Sequence, residues 1–140
     1  MKEKPMNQRE IKFRAWDKDV EEWFYSDKEY DDHFFEFKNG KLICFGIQED
    51  CGGDIYEPPH PESYECESVE QYTGLKDKHG KEIYEGDLII NLSRNNRKPH
   101  EVVFGYGCYL GNYRDLKYVI GHELDEISVI GNIHENKDLL

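Results

Sequence analysis

The sequence predicts an all-β protein with a small helical tail. Three observations lead there. The chain is rich in aromatic residues, 10 Tyr, 7 Phe and 2 Trp, which suit half-buried pleated surfaces. Its apolar runs are short and lie between Gly, Asn and Asp, the residues of tight turns. The stretch Gln71 to Ile90, QYTGLKDKHGKEIYEGDLII, reads as a β-hairpin feeding a further strand.

The elements follow in order. Residues 1–8 are polar and predict a disordered tip. EIKFRAW, from Glu10 to Trp16, alternates, with Ile11, Phe13 and Ala15 on one face. Asp17-Lys18-Asp19 is a turn, and Glu22 to Ser26 is the partner strand. Asp27 to Asp32 is an acidic loop. HFFEFK, from His33 to Lys38, is a strand; Asn39-Gly40 is the strongest short hairpin signal in the chain, and Lys41 to Ile47 returns. Gln48 to Ser68 holds Gly52-Gly53, three prolines and many acids, and is expected to be an irregular surface loop or linker.

In the central stretch, Tyr72, Thr73 and Leu75 precede a turn at Lys76 to Gly80. Lys81 to Tyr84 returns, Glu85-Gly86-Asp87 breaks the ladder, and Leu88 starts a buried strand. Ser93 to His100 is a polar turn. Short strands are expected at Glu101 to Tyr106, Cys108 to Leu110, Tyr118 to Ile120 and Glu126 to His134, the last with an irregularity at Gly131. Glu135 to Leu140 is a short helical tail. Short strands bounded by Gly, Asn and Asp predict a small barrel or sandwich over the C-terminal half. The organisation is thus an N-terminal β-hairpin region over 9–47, an acidic, Pro-containing loop over 48–69, and a small barrel with its tail over 70–140.

A chain of 140 residues can bury about two-thirds of its unfolded surface, so a sizeable core is expected. The net charge of −12 is uneven. Residues 1–70 carry 9 Lys/Arg and 19 Asp/Glu, a net of −10, and residues 71–140 carry 9 and 11, a net of −2. The acidic half excludes a large nucleic-acid footprint there, because phosphate contacts need cations. Its ordinary role is a solvated face; its functional role would be attraction of basic partners. No apolar run approaches the roughly 18 residues of a membrane-spanning helix. The N-terminal MKEKPMNQREIKF lacks the apolar core of a signal peptide. The expected location is the cytoplasm, with Cys44, Cys51, Cys66 and Cys108 reduced.

The chemistry-bearing residues form no recognised pattern. The cysteines are separated by 6, 14 and 41 residues, with no paired knuckle of a zinc site. Cys51, His60 and Cys66 share one loop, yet packed thiols are the expectation, and no metal or cofactor is called for. Cys108 with His100 or His122 is an arithmetic pairing for nucleophilic catalysis; a packed cysteine in a Gly-rich strand is the ordinary reading. Gly74, Gly86 and Gly131 read as turn or bulge positions, since no helix follows to form a phosphate loop. Arg94, Arg97 and Lys98 are the one basic cluster. Together with Tyr106, Tyr109 and Arg114, and with Tyr113 and Tyr118 nearby, they are the candidates for nucleic-acid contact by stacking and charge. Ordinary sheet packing is expected instead.

REIKFRAWD near the start, YTGLKDKHGKEIYEGDLI in the middle and IGNIHENKDLL at the end resemble, in order and spacing, the YopX family of phage and prophage proteins. His134 stands where the family commonly has Tyr. The resemblance implies an origin in a bacterial phage or prophage and an SH3-like small barrel for the C-terminal part. It implies no reaction and carries over no catalytic residue. The expected function is therefore a non-enzymatic binding or regulatory module acting through a protein partner. Pairing of the N-terminal hairpins with a second copy is a further expectation, because sheet edges are natural docking sites. The alternatives are contact with nucleic acid through residues 94–98 and an enzyme whose site is assembled from scattered residues.

Overall fold

The computed structural model describes residues 9–49, 61–94, 98–114, 116–121 and 123–139. It is all-β: among the described residues, twelve strands and three single 3-10 turns make up the regular structure. The chain divides into two compact units, Lys12–Val69 and Glu70–Leu140 joined by the residues up to Ile11. The expected disordered tip, residues 1–8, lies outside the described residues.

In the Lys12–Val69 unit, β1 (Phe13–Asp17) pairs antiparallel with β2 (Glu22–Tyr25), with Trp16 opposite Trp23. The chain beyond β2 is tied back: the Phe13 amide donates to Ser26 Oγ and the Ser26 amide to the Phe13 carbonyl, both at 2.9 Å. β1 has little solvent contact on either face, which is why Arg14 and Asp17 are buried beside Ala15 and Trp16. Arg14 keeps its charge satisfied in part by lying 4.1 Å above the Trp23 ring.

β3 (His33–Lys38), β4 (Lys41–Glu49) and β5 (Pro61–Glu65) form a three-stranded antiparallel sheet in that order. The turn joining β3 to β4 has Asn39 and Gly40 at φ 52° and 77°, the left-handed pair that an Asn-Gly hairpin turn requires. Strand β5 corrects the reading of 48–69 as a loop. Its residues Pro61–Glu65 sit at the sheet edge and open on a proline, where a missing N–H is tolerated, so a Pro-rich, acidic stretch still forms a strand. Residues 50–60 lie outside the described residues.

In the C-terminal unit, β6 (Ser68–Lys76) and β7 (Glu82–Tyr84) form the central hairpin where the sequence places it. β8 (Asp87–Asn91), β9 (His100–Gly105), β10 (Cys108–Tyr113), β11 (Leu116–Val119) and β12 (Ile127–Asn132) form a five-stranded antiparallel sheet. Its order is β11-β10-β9-β8-β12, so β12 returns beside the first strand of the meander. The register slips between Val129 and Gly131, the irregularity expected at that glycine. The expected helical tail is a 3-10 turn at Lys137–Leu139. The core gathers Ile83, Ile89, Val102, Ile120 and Ile127, with Leu75, Tyr109, Tyr118, Leu124 and Val129 packed against it. Burying these apolar side chains is the main favourable term, about 1.5–3 kcal/mol for each large one.

The turn between β7 and β8 depends on Gly86. Its φ of 81° is left-handed, and a Cβ there would fall on the Glu70 carboxylate. One device occurs in both units. Gly46 in β4 faces Tyr64 in β5, and Gly111 in β10 faces Tyr118 in β11. In each pair a Cβ on the glycine would collide with the tyrosine ring, so the ring covers the glycine across the strands.

Candidate functional site

Among its described residues, the Lys12–Val69 unit holds one cluster of metal-ligating and nucleophilic side chains, and each member comes from a strand or its end. Asp17 closes β1, His33 opens β3, Cys44 sits in β4, Tyr64 in β5, and Cys66 directly follows β5. The Cys66 amide donates to the Cys44 carbonyl at 2.9 Å, which continues the β4–β5 ladder and sets the two cysteines side by side. The two thiols bear on each other's protonation. Cys44, Asp17 and His33 are buried, and Cys66 is partly accessible.

Hydrogen bonds fix the directions. The His33 ring bridges two carboxylates, with Nδ1 3.0 Å from Asp32 Oδ1 and Nε2 2.7 Å from Asp17 Oδ2. It stacks on Phe24 with centroids 3.4 Å apart and planes 9° from parallel. The Tyr64 hydroxyl donates to Asp17 Oδ2 at 2.6 Å, and the Asp19 amide donates to Asp17 Oδ1 at 2.9 Å. Tyr64 reaches Asp17 because Gly46 leaves room for its ring. The ligating atoms of Asp17, His33 and Cys66 all lie within 4.8 Å of one another.

These contacts set the protonation states. Burial works against the Asp17 charge, but the hydrogen bonds from Tyr64, His33 and the Asp19 amide outweigh it and hold the carboxyl below its ordinary value. Burial likewise works against a charged His33, and its bonds to Asp32 and Asp17 outweigh that and raise it. The Tyr64 hydroxyl is pushed up by its bond to Asp17. Within the cysteine pair, the interaction of the two thiols holds Cys44 down and pushes Cys66 up, and burial adds to the rise at Cys66. One nitrogen, one carboxylate and one sulfur, from His33, Asp17 and Cys66, therefore converge on a small volume, a set of donors suited to a cation.

The residues selected for nucleic-acid contact do not converge in this way. Arg94 lies 4.2 Å over the Tyr118 ring and 3.7 Å from Glu123. Arg97 lies outside the described residues. Lys98 and Arg114 do meet, in a cleft of about 420 Å³ that Glu101 and Tyr113 also line. Tyr106 stands 91% exposed on the β9–β10 turn, while Tyr109 packs edge-to-face with Phe104, centroids 5.1 Å apart, and against the core. Cys108 is taken up by the Gly105 carbonyl, 3.6 Å from its sulfur. His122, Cys51 and His60 lie outside the described residues. His100 is buried and its Nδ1 shares a hydrogen bond of 2.6 Å with the Tyr118 hydroxyl, so it is part of the packing.

Sequence reasoning reached Cys66 but missed Asp17, His33, Cys44 and Tyr64. Each is a single residue on its own strand, so no spacing motif unites them. The available signal was a histidine at the first position of a strand, immediately after two aspartates.

No curated protein matches the chain. It is similar to the crystal structure of protein EF1440 from Enterococcus faecalis, at 28% identity over 95% of this chain and 99% of that one, with a TM-score of 0.61. Among the described residues no helix is long and apolar enough to cross a membrane. The family model for YopX protein matches residues 12–140, which takes in the strand that carries Asp17, the central hairpin and the C-terminal tail; the chain belongs to the YopX family.

Proposed function

We propose that this YopX-family chain is a non-enzymatic binding or regulatory module of a bacterial phage or prophage, acting in the host cytoplasm through a protein partner. The observation that carries the reading is the edge of the five-stranded sheet. Strand β11 is terminal in the sheet order, and it exposes Leu116 (72%) and Val119 (51%) in a chain of net charge −12. An open strand with apolar side chains is a template for an added strand. The partner that fits is an extended, apolar segment with basic residues, drawn in by the acidic surface and held by main-chain hydrogen bonds. The sheet order supports an SH3-like barrel for this unit: four strands in a meander, a 3-10 turn at Leu124–Glu126, and a last strand beside the first. Such small barrels commonly serve as binding modules, an argument by analogy of fold.

The test is an affinity pull-down from host lysate with nuclease present, comparing the wild type with a Leu116→Glu/Val119→Glu variant. A protein retained by the wild type and lost from the variant supports the reading. Equal retention by both refutes it. A second reading rests on the cleft that joins Lys98, Arg114 and Tyr113. Duplex DNA retained at low salt, and released by an Arg94→Ala/Arg97→Ala/Lys98→Ala variant, would favour nucleic acid over a protein partner.

A further inference from the structure

We propose that Asp17, His33 and Cys66 bind one divalent cation of the zinc class. This goes beyond the binding-module reading and does not depend on it. The donor set decides the class of ion. Magnesium and calcium prefer all-oxygen shells, whereas a sulfur, an imidazole and a carboxylate suit a zinc site with three protein ligands and a fourth position left to water. Such a site has ligand atoms about 3.3–3.8 Å apart, from metal–ligand distances of about 2.0–2.3 Å. Here the atoms of Asp17, His33 and Cys66 lie within 4.8 Å of one another, and His33 Nε2 and Asp17 Oδ2 are 2.7 Å apart. Seating an ion thus asks one pair to part and the rest to close by about 1 Å or less, within the reach of side-chain rotation.

The surroundings are those of a supported site. The carboxylate of Asp32 holds His33 Nδ1 at 3.0 Å and leaves Nε2 aimed at the centre of the cluster. Metal-binding histidines are almost always fixed by such a carboxylate, carbonyl or water on their other nitrogen. The Phe24 ring lies flat on the imidazole and sets its plane. Tyr64 orients the Asp17 carboxylate. All three ligands are carried on or beside β-strands, which position them before binding. Cys66 is the partly accessible member and gives an entry path. On loading, the imidazole gives up its Nε2 proton and the Cys66 thiol gives up its own, and the cation takes the place of those protons.

The experiment uses the full chain, purified without a metal-affinity tag, stripped with chelator and kept reduced. It is titrated with Zn²⁺ against a competing chelator, and with Co²⁺ read by visible absorption. The expected result is one ion per chain and a thiolate-to-cobalt charge-transfer band. Cys66→Ser and His33→Gln should each weaken zinc binding by more than ~10-fold, while Cys108→Ser leaves it unchanged. Asp32→Asn touches an exposed carboxylate and spares the buried ligands, so the fold is retained, and affinity should fall about 10–100-fold. Wild-type protein without the cobalt–thiolate band, or Cys66→Ser and Asp32→Asn variants that bind zinc as tightly as wild type, would overturn the proposal.

Discussion

Replacing Asp77 with alanine should destabilise the C-terminal unit by about 2–4 kcal/mol, the sum for one partly buried orphaned donor and two solvent-reachable ones. The figure comes from what Asp77 holds. Its side chain is 6% exposed. Oδ1 accepts the His79 amide at 2.8 Å and the Lys81 amide at 2.9 Å, which closes the β6–β7 turn on itself. Oδ2 accepts the Val129 amide at 2.9 Å, a contact across 52 residues that pins the turn to β12. Water can reach the two turn amides in the variant, but Val129 loses its partner within the sheet. Asp77→Asn keeps one acceptor and should fall between the two. Urea unfolding reads the effect directly. With a slope of about 2 kcal/mol per molar, the midpoint should drop by roughly 1–2 M. The pH dependence gives a second, independent reading. Burial works against the Asp77 charge, but the three amide bonds outweigh it and hold the carboxyl below 3.8. Its contribution is therefore present above pH 3.8 and is lost as pH falls through the lower folded value. The gap between wild type and Asp77→Ala should narrow in that acid range. A variant as stable as wild type at neutral pH would refute the argument, as would a gap that stays constant into acid.

Gly86→Ala should cost about 1–3 kcal/mol, from the left-handed backbone alone, with the Glu70 contact adding to it; thermal unfolding measures this. Gly46→Ala should push the Tyr64 ring away and break its bond to Asp17. Tyr64→Phe should reproduce most of the loss, about 1–2 kcal/mol, and the two changes combined should be less than additive in a double-mutant cycle. His100 is held below its ordinary 6.5 by burial and then by the charge of Arg94, so the folded state prefers the neutral ring. The unfolded chain takes up more protons below pH 6.5, so stability should fall as pH drops through that value. His100→Gln should remove this slope in a series of unfolding midpoints, and an unchanged slope would assign it elsewhere.

The fold was largely legible because its turns are written in local chemistry. Asn39-Gly40 dictates a hairpin, and Asp77 with Gly80 dictates another, so β3–β4 and β6–β7 follow from a few neighbouring residues. Strand β5 was illegible for the opposite reason: at a sheet edge, pairing with β4 decides the conformation and overrides a composition that reads as loop. The candidate site was illegible on the same grounds. Asp17 reads as a turn residue and His33 as an ordinary strand residue, and only the stacking of separate strands brings them within 2.7 Å. Buried polar residues on strands leave no periodic trace, because alternation marks faces and does not say which face meets which.

The glycine–tyrosine pairs have a consequence for how chains of this family can diverge. Gly46 and Tyr64 occupy one shared volume, as do Gly111 and Tyr118, so the glycine of a pair is not free to grow while its tyrosine stays. A descendant that enlarges residue 46 while keeping Tyr64 loses the donor to Asp17, and one that shrinks Tyr64 first opens the space that a later side chain at 46 can occupy. The permitted order of substitution is therefore tyrosine before glycine. In an alignment of relatives the two columns of each pair should co-vary, and the 46–64 columns should in turn track the presence of an acid at position 17.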